Sequence, residues 1–348
     1  MIASPNHDLY GRLIAEIDCS GPIRLSRFMS IALSDSEQGY YQTRDPFGKQ
    51  GDFTTAPEIS GLFGEMCGFF LAHMAEIAGL DNPHTIELGP GRGSLMADMR
   101  HVWKRLAPAL AAAPVHLVET SPHLRRLQAD HLPDARLVFH DNLDQLPSTP
   151  LFGVANEFFD ALPIRQYVRV GDLWHERLIG LKDNELEFGL SPIAQTGDYL
   201  HARLHDTQDG DIVEVSEPTQ SIIDQLSKRI DTHRGCALII DYGDWTSKGD
   251  TLQAVLDHKY SDALQALGDA DLTAHVDFEQ IAHASQCQVS KMCTQQDLLE
   301  RLGISHRTQT LVTSASNETQ KNDVLSAYRR LTHEEEMGTL FKAISLFP

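Results

Sequence analysis

Apolar runs and helical periods alternate along the first 155 residues of the chain. The runs lie at 85–87, 115–119, 135–140 and 151–155, and helices are predicted at 95–106 and 122–131. Short apolar runs that alternate with helices are typical of strands in a parallel sheet. The first half of the chain therefore predicts an α/β fold.

The pattern changes after the fourth run. Residues 165–190 alternate between apolar and polar positions, with turn signals at 171–172 and 182–184. This period predicts a β meander, inserted at about 164–205. The remaining predicted elements are a helix at 219–230, a buried strand at 236–240, a loop-rich connection at 251–284, helices at 294–302 and 318–331 and a closing edge strand at 338–347.

The segment before the first strand has helical periods and one long polar stretch. Residues 1–50 are predicted to form a helical region, with a helix at 26–33 and a loop at 35–50, and residues 51–348 the main domain. Thr55 and Glu58 have the spacing of a capping box at the start of a helix. The residues just before this helix form a candidate lid over a ligand, with Phe53 and Glu58 as its side chains.

The first strand leads into a glycine-rich turn that indicates a nucleotide site. Gly89, Gly91 and Gly93 stand on alternate positions before a helix, so backbone amides can approach a ligand closely. The spacing differs from the G-x-G-x-x-G pattern of dinucleotide sites. Glu87 ends the strand, and its charge would repel a pyrophosphate but attract the ammonium and sulfonium groups of S-adenosylmethionine. The sequence therefore favours this cofactor.

Polar residues also follow the other strands. Glu119 ends the second strand, where ribose hydroxyls are bound in folds of this type, and Asp141 and Asn142 could contact an adenine amino edge. The fourth strand is followed by Asn156, Glu157 and Asp160 at the same edge of the sheet, and we expect Asn156 to contact the cofactor. Each acid taken alone could be a helix cap, but their repetition predicts a ligand crevice.

Composition narrows the class of protein. The chain has 348 residues and a net charge of −20, which disfavours nucleic acid as a partner. Its five cysteines are scattered and its histidines lack zinc spacing, so we expect free thiols and no metal. The N-terminus resembles neither a signal nor a transit sequence, and the apolar stretch at 63–80 is interrupted by charges. These features predict a cytoplasmic protein without a membrane span.

Five motifs together carry a resemblance to a known family. The motifs GDFTTAPEIS, ELGPGRGSL, NEFFDALP, DYG and DLTAHVDF occur in this order. They resemble the MidA-like methyltransferases, the family of the mitochondrial complex I assembly-factor arginine methyltransferase. The resemblance implies a class I Rossmann-like fold that uses S-adenosylmethionine, here with an N-terminal helical extension and an inserted β meander. It also implies a protein substrate, such as a subunit of complex I (NADH dehydrogenase).

Methylation of arginine would require carboxylates that bind and orient a guanidinium. Glu157 and Asp160 are the catalytic candidates, since they share a face if this segment begins a helix. His275 and Asp277 are further candidates for the substrate pocket. Two alternatives stay open: an assembly chaperone that only binds the cofactor, and a nucleic acid amino-methyltransferase. The sequence predicts no oligomeric state.

Overall fold

The computed structural model describes residues 7–43, 55–256 and 259–348. The N-terminal elements are α1 (His7–Ser20), β1 (Ile23–Arg24), α2 (Leu25–Ser34), α3 (Tyr40–Thr43), α4 (Ala56–Ile59) and α5 (Gly61–Ala78). The helix predicted at 26–33 is confirmed as α2. The segment predicted as a loop contains α3, because Tyr40 is fully buried and adds apolar surface to the core around α1 and α2.

The predicted capping box is wrong. The side chain of Thr55 makes no capping hydrogen bond to the described residues, and Glu58 Oε1 accepts a hydrogen bond from Ser94 Oγ at 2.6 Å. The expected single helix is also divided at Ser60, whose backbone is extended. The Ser60 hydroxyl accepts a hydrogen bond from Leu62 N at 3.2 Å and begins α5.

The next segment forms the parallel part of the main sheet. Its elements are β2 (His84–Leu88), α6 (Ser94–Leu106), α7 (Pro108–Ala112), β3 (Val115–Val118), α8 (Pro122–His131), β4 (Leu137–His140) and β5 (Leu151–Asn156). Strand β2 pairs in parallel with β3 and β5, and β3 pairs in parallel with β4. The α/β pattern predicted from the apolar runs is therefore confirmed.

The predicted insertion forms a separate antiparallel sheet. Its elements are β6 (Arg165–Val170), β7 (Leu173–Lys182), β8 (Glu185–Gln195), the short helix α9 (Asp198–Ala202) and β9 (Ile212–Val215). The strand order is β1-β7-β6-β9, with β8 paired to β7. Asp183 and Asn184 both have positive φ in the turn between β7 and β8, as a tight hairpin requires.

The remainder of the chain completes the main sheet and adds a smaller one. Its elements are α10 (Glu217–His233), β10 (Gly235–Asp244), β11 (Gln253–Leu256), β12 (Lys259–Ser261), β13 (Asp271–Thr273), β14 (Val276–Asp277), α11 (Phe278–Ala284), β15 (Gln288–Val289), β16 (Cys293–Thr294), α12 (Gln295–Arg301), α13 (Ile304–Ser314), α14 (Glu318–Thr332), α15 (Met337–Leu340) and β17 (Phe341–Phe347). Strands β12, β11 and β13 form a three-stranded sheet inside the segment predicted as loop-rich. Helix α13 was not predicted.

The main sheet has the order β15-β17-β10-β5-β2-β3-β4. Strand β10 is parallel to β5, whereas β17 is antiparallel to β10. The short strands β15 and β16 pair with the other side of β17, so the prediction of an edge strand is wrong. The five parallel strands end at one edge of the sheet, where ligands bind in open α/β folds.

Apolar side chains fill both faces of this sheet. Met99 and Trp103 belong to the core on the side of α5 and α6, and Ile223 and Phe278 to the core on the side of α10 and α11. A further core joins α1 and α2 to the small sheet of β11 and β13. Among the described residues no helix could span a membrane.

Candidate active site

A cavity of about 670 Å³ lies at the carboxyl ends of the parallel strands. The part of its wall near the glycine turn includes Gly89, Gly91, Glu119, Asp141 and Asn142, and another part includes Tyr41, Glu157, Asp160, Tyr242, Asp271 and His275. Most of the predicted site residues therefore meet in one cavity. Phe53 lies outside the described residues.

The glycine turn has a backbone that favours glycine at all three positions. The φ angles of Gly89, Gly91 and Gly93 are 61°, 52° and 87°. A Cβ atom on Gly89 would lie 2.7 Å from Cδ2 of Phe158, so a side chain there would displace that ring. Gly93 is the N-cap residue of α6. The turn thus brings bare backbone to the cavity wall, as the sequence predicted.

Glu87 lies outside the wall formed by the described residues. Its side chain is only 3% exposed, and it accepts a hydrogen bond from the backbone of Met96. Burial raises the pKa of this carboxyl well above its ordinary value. The hydrogen bond from Met96 connects Glu87 to the start of α6. Its Oε2 has no partner among the described residues, and the predicted contact of Glu87 with the cofactor stays a prediction.

Glu119 does line the cavity, and Gln128 connects it to the glycine turn. Gln128 Nε2 donates to the carbonyl of Gly91 at 2.7 Å and to Glu119 Oε2 at 3.3 Å. Glu119 Oε1 accepts from Ser121 N at 2.7 Å. Burial raises the pKa of Glu119, although these hydrogen bonds oppose the shift. Sequence reasoning missed Gln128, because it lies within α8 and has no motif of its own.

Asp141 and Asn142 extend this side of the wall. Asp141 Oδ1 accepts from Arg125 Nη2 at 2.6 Å. Asn142 Oδ1 accepts from Asp144 N at 3.0 Å and caps a short 3₁₀ turn. Part of each side chain thus has a local structural role, and the contact of both residues with an adenine group stays a prediction.

The first catalytic candidate, Glu157, has an unusual backbone. Its φ is +50°, and its N–H donates to the carbonyl of Ile240 at 3.0 Å. Its Oε1 accepts hydrogen bonds from Ala56 N at 3.1 Å and from Asn156 Nδ2 at 3.0 Å. Burial raises the pKa of Glu157 to about 7. Asn156 lies outside the described cavity wall and supports Glu157.

Asp241 fixes the turn that contains both catalytic candidates. Its Oδ2 accepts from the backbone N–H groups of Phe158, Phe159 and Asp160 at 3.2, 3.0 and 3.3 Å. Its Oδ1 accepts from Tyr242 N at 2.9 Å. Because these amides bind a side chain, residues 157–160 form a turn. The prediction of a helix that brings Glu157 and Asp160 onto one face is therefore wrong. Both residues nevertheless line the same cavity.

The second catalytic candidate, Asp160, is 7% exposed and lines the cavity. It forms a side-chain hydrogen bond with Tyr242, while its Oδ1 has no partner among the described residues. Burial raises the pKa of Asp160 to about 6. A buried carboxylate oxygen without a partner is costly unless a ligand supplies a donor. Asp160 is thus suited to a cationic ligand.

The other predicted pocket residues have different positions. His275 lines the cavity, with its ring edge-on to Tyr242 at a centroid distance of 5.4 Å. Asp277 instead caps α11 by accepting from Gln280 N at 2.9 Å, and it accepts from Tyr199 at 2.8 Å. Glu58 and Asp277 both lie outside the cavity wall that the described residues form, so they have supporting positions.

The charge of the wall is strongly unbalanced. Among the described residues that line the cavity there are six carboxylates and one arginine, Arg330. This balance fits a cofactor with ammonium and sulfonium groups, and the glycine turn provides bare backbone beside it. Glu119, Asp141 and Asn142 would hold the nucleoside part of S-adenosylmethionine on their side of the cavity.

Comparison with known proteins identifies the family. A family model described as "putative S-adenosyl-L-methionine-dependent methyltransferase" matches residues 66–294. The chain belongs to this family. It is therefore a methyltransferase that uses S-adenosylmethionine, as the glycine turn and the resemblance both predicted.

Relatives match the chain over nearly its full length. The mitochondrial protein arginine methyltransferase NDUFAF7 of Homo sapiens is 32% identical, with 99% of this chain and 84% of that protein covered. The Drosophila melanogaster homolog is 34% identical, with 99% and 86% covered. A solved structure from Burkholderia thailandensis, bound to S-adenosyl-homocysteine, has a TM-score of 0.86 and 26% identity, with 98% and 92% covered.

Proposed function

We propose that this methyltransferase modifies an arginine side chain in a protein substrate. The observation that carries the proposal is the joint position of Glu157 and Asp160 in the wall of one cavity with the glycine turn. Relatives named as protein arginine methyltransferases support the same substrate class. A subunit of respiratory complex I is the first substrate to test, given the motifs shared with the family of its assembly factor.

The chemistry depends mainly on position and charge. When bound, S-adenosylmethionine would supply the methyl group of its sulfonium to an aligned nitrogen, with the neutral thioether of S-adenosyl-homocysteine as the leaving group. An arginine has an unperturbed pKa above about 12, so its guanidinium must be held and oriented while still charged. Ionised Glu157 and Asp160 can accept its N–H groups in a fork. Glu157, whose pKa is about 7, can then accept the released proton at Oε2.

Transfer of labelled methyl groups from S-adenosylmethionine tests this proposal. The acceptors are peptides from complex I subunits and matched peptides in which lysine replaces arginine. Label is expected on arginine peptides, and acid hydrolysis followed by amino acid analysis identifies the modified residue. Label on lysine or on added RNA would overturn the proposed substrate class.

Two variants in the cavity and one control outside it test whether the cavity carries the activity. Glu157→Gln and Asp160→Asn should each reduce kcat/KM by about 30-fold or more, since removal of one buried charge partner costs roughly 2 kcal/mol or more. Asp172→Asn is the matched control, because its side chain is 94% exposed on the β meander. Cofactor binding without transfer by the unaltered protein would instead favour the assembly-chaperone alternative.

A further inference from the structure

The small sheet of β11 and β13 forms one wall of the cavity. In this sheet Val255 is paired with Asp271, and Ala254 with Leu272. Ala254 and Leu272 are buried in the core formed with α1 and α2. Because neighbouring residues of a strand point to opposite faces, Val255 and Asp271 face the other way, and both line the cavity. The sequence DLT thus places a carboxylate in the wall.

Tyr41 fixes the orientation of this carboxylate. Its hydroxyl lies 2.9 Å from Oδ1 and 3.1 Å from Oδ2 of Asp271, and its ring also lines the cavity. Burial and the nearby carboxylates raise the pKa of Tyr41, so the phenol keeps its proton and remains a donor. Asp271 itself is 5% exposed. A buried carboxylate in a fixed orientation can discriminate between cations of different shape.

Asp271 is connected through its own strand to the turn of residues 157–160, which holds both catalytic candidates and is called the catalytic turn below. The N–H of Ala274, immediately after β13, donates to the carbonyl of Asp160 at 2.9 Å. Thr273 forms a side-chain hydrogen bond with Tyr242, which in turn bonds to Asp160. The cavity wall therefore contains two pairs of a tyrosine and an aspartate on adjoining elements. These pairs are Tyr41 with Asp271 and Tyr242 with Asp160.

We propose that Asp271 is a further substrate-binding residue, which accepts N–H groups of the guanidinium together with Asp160 and selects guanidinium over ammonium. This inference rests on the proposed function. A guanidinium has five donors in one plane and can serve carboxylates on two separate elements at once. A lysine ammonium is compact and does not match such a planar arrangement. The buried Asp160 Oδ1, without a partner among the described residues, supplies one of the acceptors.

Tyr41 acts through Asp271 and is a positioning residue. Its single hydroxyl holds both carboxylate oxygens, so its removal should loosen the orientation of Asp271 but keep the charge. Tyr41→Phe should therefore raise KM less than Asp271→Asn does. The two variants separate the charge of Asp271 from its orientation.

Steady-state methyl transfer to an arginine peptide tests the assignment. Asp271→Asn should raise KM for the peptide about tenfold or more and change kcat less, while binding of S-adenosylmethionine stays within about twofold. Asp262→Asn is the matched control, since Asp262 lies in the same segment, is exposed, and accepts a local hydrogen bond from Leu264 N at 2.9 Å. Calorimetric titration of methylguanidine and methylammonium into the cofactor-loaded protein measures the selectivity directly.

The outcomes separate this inference from the proposed function. If the unaltered protein does not methylate arginine, the proposed function fails. If it does, but Asp271→Asn has the same KM and the same preference for methylguanidine, the role of Asp271 is overturned. If Asp271→Asn does not fold, as judged by thermal unfolding, the test uses Tyr41→Phe instead. A folded Tyr41→Phe protein with an unchanged KM for the peptide and an unchanged preference for methylguanidine contradicts the proposal.

Discussion

Glu157 Oε1 accepts a hydrogen bond from the backbone N–H of Ala56 at 3.1 Å. This bond connects the catalytic turn after β5 to the first residue of α4, where the candidate lid segment ends. Glu157 therefore has two separable features: a charge in the cavity and an acceptor for α4. Substitutions that remove one feature or both should have different effects.

Glu157→Gln keeps an acceptor for Ala56, whereas Glu157→Ala removes it. We expect both variants to lose methyl transfer by about 30-fold or more, because both lack the charge. Only Glu157→Ala should also weaken cofactor binding, by about fivefold to tenfold, since α4 loses a hydrogen bond of roughly 1 to 1.5 kcal/mol. Calorimetry with S-adenosylmethionine measures this difference, and equal cofactor affinities would refute the structural role.

The glycine turn allows a strictly matched comparison. Gly89 and Gly171 both have φ of +61°. A Cβ on Gly89 would lie 2.7 Å from the Phe158 ring, whereas a Cβ on Gly171 would have no described atom within 4 Å apart from those of its chain neighbours. Alanine at either position has a backbone cost of about 1 to 2 kcal/mol. Only Gly89→Ala should also displace Phe158 and reduce cofactor affinity, by about tenfold or more. Similar cofactor affinities in the two variants would contradict this view of the turn.

The predictable part of the site comes from local pattern. Strand ends are visible as apolar runs followed by polar residues, so Glu119, Asp141, Glu157 and Asp160 were predicted at one edge of the sheet. The function of a polar residue depends on contacts distant in sequence. Glu58 has capping spacing, yet it binds Ser94, which is 36 positions away.

The unpredicted part lies in segments without strong periodicity. Tyr41 and Asp271 are 230 positions apart and belong to segments predicted as loops, so no local pattern could pair them. The alternation in DLT was a usable signal, since an apolar residue between two polar ones predicts a strand with one polar face. For Glu87 the strand itself is predicted correctly. Its side chain is buried and lies outside the described cavity wall, so its contact with the cofactor stays a prediction.

The pH dependence of activity follows from the two catalytic carboxyls. The pKa of Asp160 is raised to about 6 and that of Glu157 to about 7, so both are largely protonated at pH 5. We expect kcat/KM to rise from pH 5 to 8 with midpoints in this range. In Glu157→Gln the residual activity should lose the upper midpoint. If the upper midpoint of the kcat/KM profile is unchanged in Glu157→Gln, that midpoint belongs to a group other than Glu157.

The same carboxyls should make the ligand-free protein less stable as pH rises. A folded-state pKa above the unfolded value of about 4 means that the folded protein binds more protons. The stabilising contribution is complete below about pH 4 and is lost as pH rises through 6 to 7. Glu157→Gln should flatten part of this decline in melting temperature between pH 5 and 8, and a parallel decline in the variant would argue against it.

Asp241 should be essential for the shape of the catalytic turn. It is fully buried, and its Oδ2 accepts three backbone N–H groups. Asp241→Asn would replace one carboxylate oxygen with an NH₂ group, whose hydrogens would point at backbone N–H groups. We expect this to lower the free energy of unfolding by about 2 to 4 kcal/mol. Asp244→Asn is the control, because Asp244 is exposed and its side chain accepts a local hydrogen bond from Trp245 N at 2.7 Å. Denaturant unfolding compares the two.

Three histidines form a hydrogen-bonded row across neighbouring strands of the main sheet. His84 Nδ1 lies 2.8 Å from His116 Nε2, and His116 Nδ1 lies 2.8 Å from His140 Nε2. His116 is 4% exposed, and burial together with the two neighbouring rings lowers its pKa from 6.5 to about 4. The row therefore consists of neutral rings near neutral pH.

This row should make the protein sensitive to acid, with a sign opposite to that of the catalytic carboxyls. Because the folded pKa of His116 lies below its unfolded value, its stabilising contribution is complete above about pH 6.5 and is lost as pH falls towards 4. The loss should reach about 3 kcal/mol at pH 4. His116→Gln can still donate and accept a hydrogen bond but does not titrate, so its free energy of unfolding should fall less between pH 6.5 and 4. His123→Gln, at an exposed position on α8, is the control, and its free energy of unfolding should fall with pH as much as that of the unaltered protein. An equally large fall in His116→Gln would show that the histidine row does not control the acid response.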